Sequence, residues 1–370
     1  MKYWRGFLTA GIIGACTLAL TEFAKSHPTL VDMIFPYISR MISGSMAEWS
    51  AGVSFCLWQV FLVLCVLVVC TLLVLAIVLR WNFLQVTGWI TAAASVILFL
   101  QFGVFDINRY AGPLADDIQM AVTNYDIAEL EEAAKYFLEE AKKADDLLPG
   151  EGKPSAPGFE SLASKAPDGF HSLVYDRKFS VFANSTVPVK KLSWSGYYTG
   201  IGTTGVTVTL TGESAVNPEV PGVLMPYAMC HEMAHRISIY ADRDANFAAF
   251  LACTHNSDPY FVYSGYLNAY RYCLKALQSF NAENAQAACQ RLTAQERAHF
   301  GAEVQSIDNF YKGAEDIYDF RNNVQLLVSW YIQEIYMPNH VEQPDDAPSF
   351  DPMDEEQVDL SGLPNAPGAR

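Results

Sequence analysis

The chain has 370 residues, a formal net charge of −16 and a hydrophobic fraction of 51%. The length allows two domains, and the hydrophobic fraction is high for a soluble protein. The acidic balance, without a basic stripe, excludes nucleic acid as an expected partner.

The hydrophobic excess lies in the first 106 residues, which we predict to be a membrane region. Crossing a bilayer takes about 20 apolar residues. Three segments meet this requirement, at about 6–24, 53–79 and 84–105. The first could instead be a cleavable signal peptide. Its apolar run continues past Cys16, which favours an uncleaved anchor.

Positive charges at one end of these segments predict the topology. Lys2 and Arg5 precede the first segment, and Arg80 lies between the second and the third. By the positive-inside rule these ends face the cytoplasm. Everything after about residue 106 would then be extracytoplasmic, although Lys25 and Arg40 on the other side weaken the inference.

The segment after the membrane region mixes helix and strand patterns. Residues 126–148 have apolar positions at helical spacing and predict an amphipathic helix. Residues 149–158 are rich in Pro and Gly and predict a loop. Alternating or β-branched runs then predict four strands, at 173–175, 179–182, 187–189 and 206–210.

The pattern HExxH occupies positions 231–235. On a helix, His231 and His235 lie one turn apart on the same face, a spacing that lets both imidazoles bind one zinc ion. Glu232 would then be the general base toward a water that the zinc acidifies. Pro226 favours a helix start. The apolar residues around the motif predict a largely buried helix, whose imidazoles need a partner such as a metal ion.

A zinc site with two histidines usually takes a carboxylate as its third ligand. A second helix is predicted after the motif, antiparallel to the first. Asp244, early in that helix, is our choice for the third ligand because it would lie beside His235. Asp242, which could cap the helix, and Asp258 are the alternatives. Asp244 could also be a first-turn residue that the helix dipole stabilises.

A peptidase also needs a surface that aligns its substrate. An extended peptide can add to the edge of a sheet. We expect Thr207, Val208, Thr209 and Leu210 to form such an edge beside the metal. The alternative is an ordinary sheet edge that packs against the core.

A peptidase further needs a hydrogen-bond donor for the developing oxyanion. Tyr263, Tyr266 and His255 follow the two predicted zinc helices. Tyr263 and Tyr266 are the predicted catalytic residues for this role. Tyrosine and histidine are equally common as half-buried packing residues.

Four cysteines follow the membrane region: Cys230, Cys253, Cys273 and Cys289. An extracytoplasmic domain permits disulfides. The predicted helices allow Cys230 to approach Cys253 and Cys273 to approach Cys289. Two disulfides or four buried thiols are both consistent with the sequence.

Five segments carry a family resemblance: 108–114, 210–218, 225–235, 244–247 and 263–267. In them the chain resembles an uncharacterised bacterial membrane family known as domain of unknown function 3810. That family is similar to the zincin metallopeptidases in which a second helix carries Glu-Ala-Asn after HExxH. The resemblance implies the ligands His231, His235 and Asp244 and the base Glu232. Asp replaces the expected Glu at 244 and is one methylene shorter, so the two helices would have to approach more closely.

These observations predict an α+β, mostly helical fold. Residues 1–106 would be the membrane region, 107–337 a zincin-like catalytic domain with a small sheet, and 338–370 a disordered acidic tail. The predicted function is a zinc metalloendopeptidase in the bacterial cell membrane, with the lipid bilayer and an extracytoplasmic peptide or protein as partners. The alternatives are a zinc-binding sensor or scaffold without activity, and an envelope protein whose histidines bind no metal.

Overall fold

The computed structural model describes residues 2–148, 157–312 and 320–340. These residues form a mostly helical fold with one three-stranded sheet, which confirms the predicted fold class. The helices are α1 (Arg5–Ser26), α2 (Pro28–Ala51), α3 (Leu57–Val78), α4 (Phe83–Leu98), α5 (Leu114–Asp117), α6 (Ile127–Asp146), α7 (Phe159–Tyr175), α8 (Ser195–Gly200), α9 (Met225–Arg236), α10 (Asp242–Thr254), α11 (Pro259–Gln278), α12 (Glu283–Phe310), α13 (Phe320–Tyr331) and α14 (Met337–His340). The strands are β1 (Lys190–Lys191), β2 (Gly205–Val208) and β3 (Glu213–Val216).

Three helices are long and apolar enough to cross a membrane: Arg5–Ser26, Leu57–Val78 and Phe83–Tyr110. The third consists of α4, a π-helical segment and a short 3-10 helix. Most of the side chains on the first two are exposed, as lipid-facing surfaces require. Helices therefore occupy the three predicted segments with small shifts of their ends, and all three are candidate membrane spans.

The core of the remaining domain lies among α6, α7, α9, α10, α11 and α13. Asp126 and Glu129 form a capping box that starts α6, and the apolar face of this helix packs along α11. The predicted amphipathic helix at 126–148 is thus confirmed. The predicted loop at 149–158 and the tail after 338 fall mostly outside the described residues.

Three of the four predicted strands are wrong. Residues 173–175 form the last turn of α7, residues 180–182 form a 3-10 helix, and residues 187–189 precede β1 without regular structure. Leu173 and Val181 are buried by helix packing, which outweighs the local β propensity. The fourth predicted strand corresponds to β2.

The small sheet has the order β1-β3-β2, so β2 is an edge strand. β1 pairs parallel with β3, and β2 pairs antiparallel with it. Thr207 of β2 lies opposite Ser214 of β3. This register directs both hydroxyl groups toward the same face of the sheet, where α9 packs.

A buried ion pair fixes the sheet to the second span. Lys190 Nζ lies 2.7 Å from Glu213 Oε1, with side chains 9% and 0% exposed. The Glu213 carboxylate also accepts the N–H groups of Leu57 at 2.8 Å and Trp58 at 2.9 Å. These are the first residues of α3, whose N-terminal N–H groups and dipole favour a carboxylate. Lys190 also donates to the carbonyl of Ser50 at 2.8 Å.

Replacing Glu213 by Ala should strongly destabilise the protein. It leaves Lys190 buried without its partner and uncaps α3, for which we expect a loss of about 3–5 kcal/mol. The change in Tm of the full-length protein in detergent measures it. The matched control is Glu160→Ala, which breaks the exposed Lys191–Glu160 pair and should cost at most about 1 kcal/mol. Equal shifts in the two variants would contradict the role of Glu213.

Candidate metal centre

The HExxH motif lies on α9, as predicted. The helix begins at Met225, with Pro226 in its first turn, and ends at Arg236. Met229 and Met233 are fully buried against the domain core. The opposite face carries the two histidines toward a cleft, since residues four apart share a helix face.

The two imidazoles face each other through the same ring atom. His231 Nε2 lies 3.0 Å from His235 Nε2. His235 Nδ1 donates to the carbonyl of Ile239 at 2.9 Å, which leaves the Nε2 lone pair of a neutral ring directed at the shared point. Asn246 of α10 lies close enough to interact with His231.

The carboxylate next to these imidazoles belongs to Asp242. Its Oδ1 lies 3.3 Å from His235 Nε2 and 3.7 Å from His231 Nε2. These three side chains form the one group among the described residues in which His, Cys, Asp or Glu ligand atoms converge within 4.8 Å. Asp242 is the first residue of α10 and follows the N-cap residue Ala241, so it is not itself the N-cap.

This arrangement corrects the choice of Asp244 as the third residue of the site. Two residues on a helix differ by about 200° in direction, so Asp244 points away from the cleft when Asp242 points into it. The buried Asp244 carboxylate accepts the N–H of Leu114 at 3.1 Å and Nε of Arg243 at 3.0 Å. Asp244 therefore connects α10 to the segment 108–114 instead of facing the histidines.

The spacing of the three ligand atoms fits a tetrahedral zinc ion. Ligand atoms at about 2.0–2.1 Å from zinc are about 3.3–3.4 Å apart in a regular tetrahedron. The three separations here are 3.0, 3.3 and 3.7 Å, and their average falls in this range. His231, His235 and Asp242 could therefore hold one zinc ion without moving apart.

Burial and mutual contact shift the pKa values of this group. Burial, with the neighbouring His235, lowers the pKa of His231. Burial also opposes protonation of His235, but its hydrogen bond with Asp242 and the charge of Glu232 outweigh it and raise the pKa. The hydrogen bond with His235 in turn lowers the pKa of Asp242. Both Asp242 as a carboxylate and His231 as a neutral ring are the protonation states that a metal ion binds.

Glu232 is buried between α9 and β2. The Thr207 hydroxyl lies 2.7 Å from Glu232 Oε2, within reach of donation, and also contacts the Glu232 carbonyl at 2.9 Å. Ser214 donates to that same carbonyl at 2.8 Å. Burial raises the pKa of Glu232, while His235 and the Thr207 hydrogen bond act in the opposite direction. The buried Glu232 carboxylate therefore holds a proton more readily than an exposed glutamate does.

Gly205 makes room for this carboxylate. A Cβ atom at position 205 would lie 2.5 Å from Glu232 Cγ and 2.7 Å from Oε1. No other residue type fits there while Glu232 keeps its position. The backbone of β2 therefore passes directly over the Glu232 side chain.

A cleft of about 590 Å³ opens above His231, His235 and Asp242. Residues 203–207, at the outer edge of β2, line one side. No strand in the described ranges 2–148, 157–312 and 320–340 pairs with this edge. Of the four residues predicted to form the substrate edge, Thr207 and Val208 lie in β2, while Thr209 and Leu210 lie in the turn that follows. The edge is therefore two residues nearer the N-terminus than predicted.

The tyrosines predicted to be catalytic lie elsewhere. Tyr263 is buried and packs against Phe300, with ring centroids 5.4 Å apart. Tyr266 packs against Tyr136 and Phe250 in the core. Neither lines the cleft, because α11 presents these positions to α6 and α12. The structure therefore does not bring either tyrosine to the HExxH motif.

The other two alternatives also lie away from the histidines. His255 caps the far end of α10 and contacts the carbonyl of Leu251 at 2.9 Å. Asp258 is the N-cap of α11, where it accepts the N–H of Tyr260 at 2.9 Å and pairs with Lys165 at 2.6 Å. Helix capping accounts for the position of His255, and helix capping with a surface ion pair accounts for that of Asp258.

One family model matches most of this chain. It carries the description Protein of unknown function (DUF3810) and covers residues 31–328. The chain belongs to this family. The DUF3810 match begins within α2 and ends within α13, so it includes the sheet, the HExxH helix and Asp242. No curated protein and no solved structure matches the chain. The function therefore has to be argued from the site.

The cleft of this DUF3810 protein contains polar residues that the sequence did not indicate. Its wall opposite β2 includes Arg243, Asn246, Tyr272 and Tyr311. Asn246 follows Asp242 by four residues, so both share one face of α10. That spacing is the signal in the sequence that could have favoured Asp242 over Asp244.

Each of the eight cysteines is a free thiol in this structure. Cys230 and Cys253 are buried neighbours on α9 and α10, and burial together with Cys230 raises the pKa of the Cys253 thiol. Cys273 is buried and Cys289 is partly buried. Of the two alternatives that the sequence left open, the structure has the four thiols and not the two disulfides.

Replacing Gly205 by Ala should destabilise the protein by about 1–3 kcal/mol, because the added methyl group overlaps the Glu232 side chain. Truncating that side chain by Glu232→Ala should remove the penalty. Thermal unfolding of the four members of this double-mutant cycle measures the coupling. If Gly205→Ala costs as much in the Glu232→Ala background as in the wild type, the proposed contact is absent.

Proposed function

We propose that this protein is a membrane-anchored, zinc-dependent metalloendopeptidase. One observation carries the proposal. The Nε2 atoms of His231 and His235 and Oδ1 of Asp242 converge at zinc-site distances, next to the buried carboxylate of Glu232 and a free sheet edge. Each feature occurs alone in other contexts, but their combination supports hydrolysis of a peptide bond.

His231, His235 and Asp242 would hold the zinc ion. When bound, zinc would polarise the substrate carbonyl and acidify a water molecule. Glu232 would accept a proton from the attacking water and deliver it to the leaving amine. Its burial raises the pKa, which makes the carboxylate a better proton acceptor. The hydrogen bond from Thr207 keeps it oriented toward the histidines.

The outer edge of β2 would align the substrate. Its unpaired N–H and C=O groups can pair with an extended peptide, which then lies along the cleft above the histidines. Opposite β2, Arg243 and Tyr272 border the same cleft. Both carry N–H or O–H donors of the kind that an oxyanion requires.

A second opening leads from the site toward the membrane helices. It is a cleft of about 300 Å³ that shares Thr207, His235 and Asp242 with the first. Its remaining wall includes Ser39 of α2 and Gln101 at the end of the third span. This position favours substrates whose cleavable segment lies close to a membrane, such as the region next to a membrane anchor.

The charges of the spans support an extracytoplasmic site. Arg5 begins α1 and Arg80 lies between α3 and α4. Gly6 is in contact with Gly88, so these two arginines lie at the same end of the spans, away from the catalytic domain. By the positive-inside rule that end is cytoplasmic. Arg40, on the other side, donates to the carbonyl of Ile237 and is thus engaged by the domain.

Two single substitutions should show which of the two aspartates, Asp242 or Asp244, is the zinc ligand. Asp242→Asn should lower zinc affinity by more than about 100-fold, the upper range for loss of an outer-shell partner. Asp244→Asn removes the same charge but should leave the zinc content of the purified full-length protein near one equivalent. Elemental analysis measures both variants beside the wild type. Loss of zinc from Asp244→Asn and not from Asp242→Asn would contradict the assignment.

Replacing Glu232 by Gln should abolish cleavage while zinc stays bound. General-base catalysis raises the rate of hydrolysis by about 10²–10⁴-fold. The N-termini that cleavage creates in envelope proteins of wild-type cells should therefore be missing from cells with the variant. A zinc-binding sensor or scaffold predicts identical sets of N-termini in both strains. Metal analysis of the Glu232→Gln protein confirms that the site remains loaded.

A further inference from the structure

The helix α2 has two faces of opposite character. Its buried side consists of Val31, Ser39, Ser43, Ala47 and Ser50. All are small or β-branched, and their spacing of about four residues defines one stripe. Val31 packs against the spans, whereas Ser43, Ala47 and Ser50 lie against the sheet, so the small and polar residues of α2 point inward.

A glycine permits this close packing. Gly212, in the turn between β2 and β3, has a φ of +64°. A Cβ atom there would lie 2.4 Å from the carbonyl oxygen of Ser43 and from the N atom of Ala47. The backbones of α2 and of the sheet therefore touch, and α2 is a fixed part of the domain surface.

The outward side of α2 is apolar. It exposes Leu30, Met33, Ile34, Tyr37, Ile38, Met41 and Trp49 at 38% to 72%. The first six follow the i, i+3, i+4 spacing of one helical stripe. Glu48, near the C-terminal end of α2, is exposed as well. The other two charged residues of the helix contact the protein: Asp32 accepts the N–H of Gly112, and Arg40 donates to the carbonyl of Ile237. A helix facing water would have the reverse arrangement.

The neighbouring spans indicate what covers this stripe. α2 begins two residues after the first span ends and finishes six residues before the second begins. Ala24, Val31 and Ile107 pack together and join α2 to the first and third spans. The apolar stripe therefore continues the lipid-facing surface of the spans. It includes the exposed Tyr37 and Trp49, and tyrosine and tryptophan are enriched at membrane–water boundaries.

We infer that α2 is an interfacial helix that lies in the surface of the lipid bilayer, with its apolar stripe among the acyl chains and its small-residue stripe beneath the extramembrane domain. Ser39 on its inner side lines the cleft that leads to His235. The helix therefore holds that cleft at the level of the lipid headgroups. This inference rests on the spans and on α2, and it does not require peptidase activity.

Photo-crosslinking in phospholipid nanodiscs tests the inference. The photoreactive residue p-benzoylphenylalanine replaces Tyr37 in the full-length chain, and mass spectrometry detects phospholipid adducts after irradiation. Leu147 is the matched control because it is 71% exposed, as is Tyr37. Leu147 also lies far from α2. Its neighbour Leu148 lines a cavity with Pro221, near the start of α9, whereas Arg40 of α2 contacts Ile237, at the end of α9. Phe61 within the second span is the positive control.

We expect phospholipid adducts at positions 37 and 61 and at least about tenfold less at 147, since only an embedded helix face contacts acyl chains. Adducts at 61 without adducts at 37 would overturn the inference. Crosslinked dimers at position 37 would also overturn it, because a second copy of the chain would then cover the stripe. Each variant should elute from size exclusion at the volume of the folded wild type, with or without added zinc, which shows that the comparison is valid.

Discussion

The site depends on how two imidazoles that face each other are satisfied. The Nε2 atoms of His231 and His235 lie 3.0 Å apart, and His235 already uses Nδ1 to donate to Ile239. A pair of lone pairs at this distance is unfavourable unless a proton or a cation lies between them. Asp242 adds a negative charge at the same point, which strongly favours a cation. A divalent metal ion satisfies all three groups at once.

Several contacts hold this group in place relative to the membrane helices. Arg40 of α2 contacts the end of the HExxH helix, and Asp244 connects α10 to the segment that follows the third span. Lys190 and Glu213 fix the sheet to the start of the second span. The spans are therefore part of the scaffold that positions the site. The family match, over residues 31–328, includes all of these contacts.

The sequence predicted those features that depend on local pattern. The spans follow from apolar runs, and the HExxH helix follows from its spacing and from Pro226. The choice between Asp242 and Asp244 depends instead on how α10 is rotated about its own axis, which the short turn before Ala241 determines. Proximity in the chain favours Tyr263 and Tyr266, but long-range packing of α11 directs both into the core and away from the histidines. The strands of two to four residues are too short to have a distinct periodicity.

The presence and ligand set of the metal ion are the central claim, and X-ray absorption spectroscopy at the zinc K edge tests them most directly. For the full-length protein as purified, the account predicts four nitrogen or oxygen ligands at about 2.0–2.1 Å, with the outer-shell scattering of two imidazole rings. A zinc–sulfur distance of about 2.3 Å, or a metal without imidazole ligands, would contradict it.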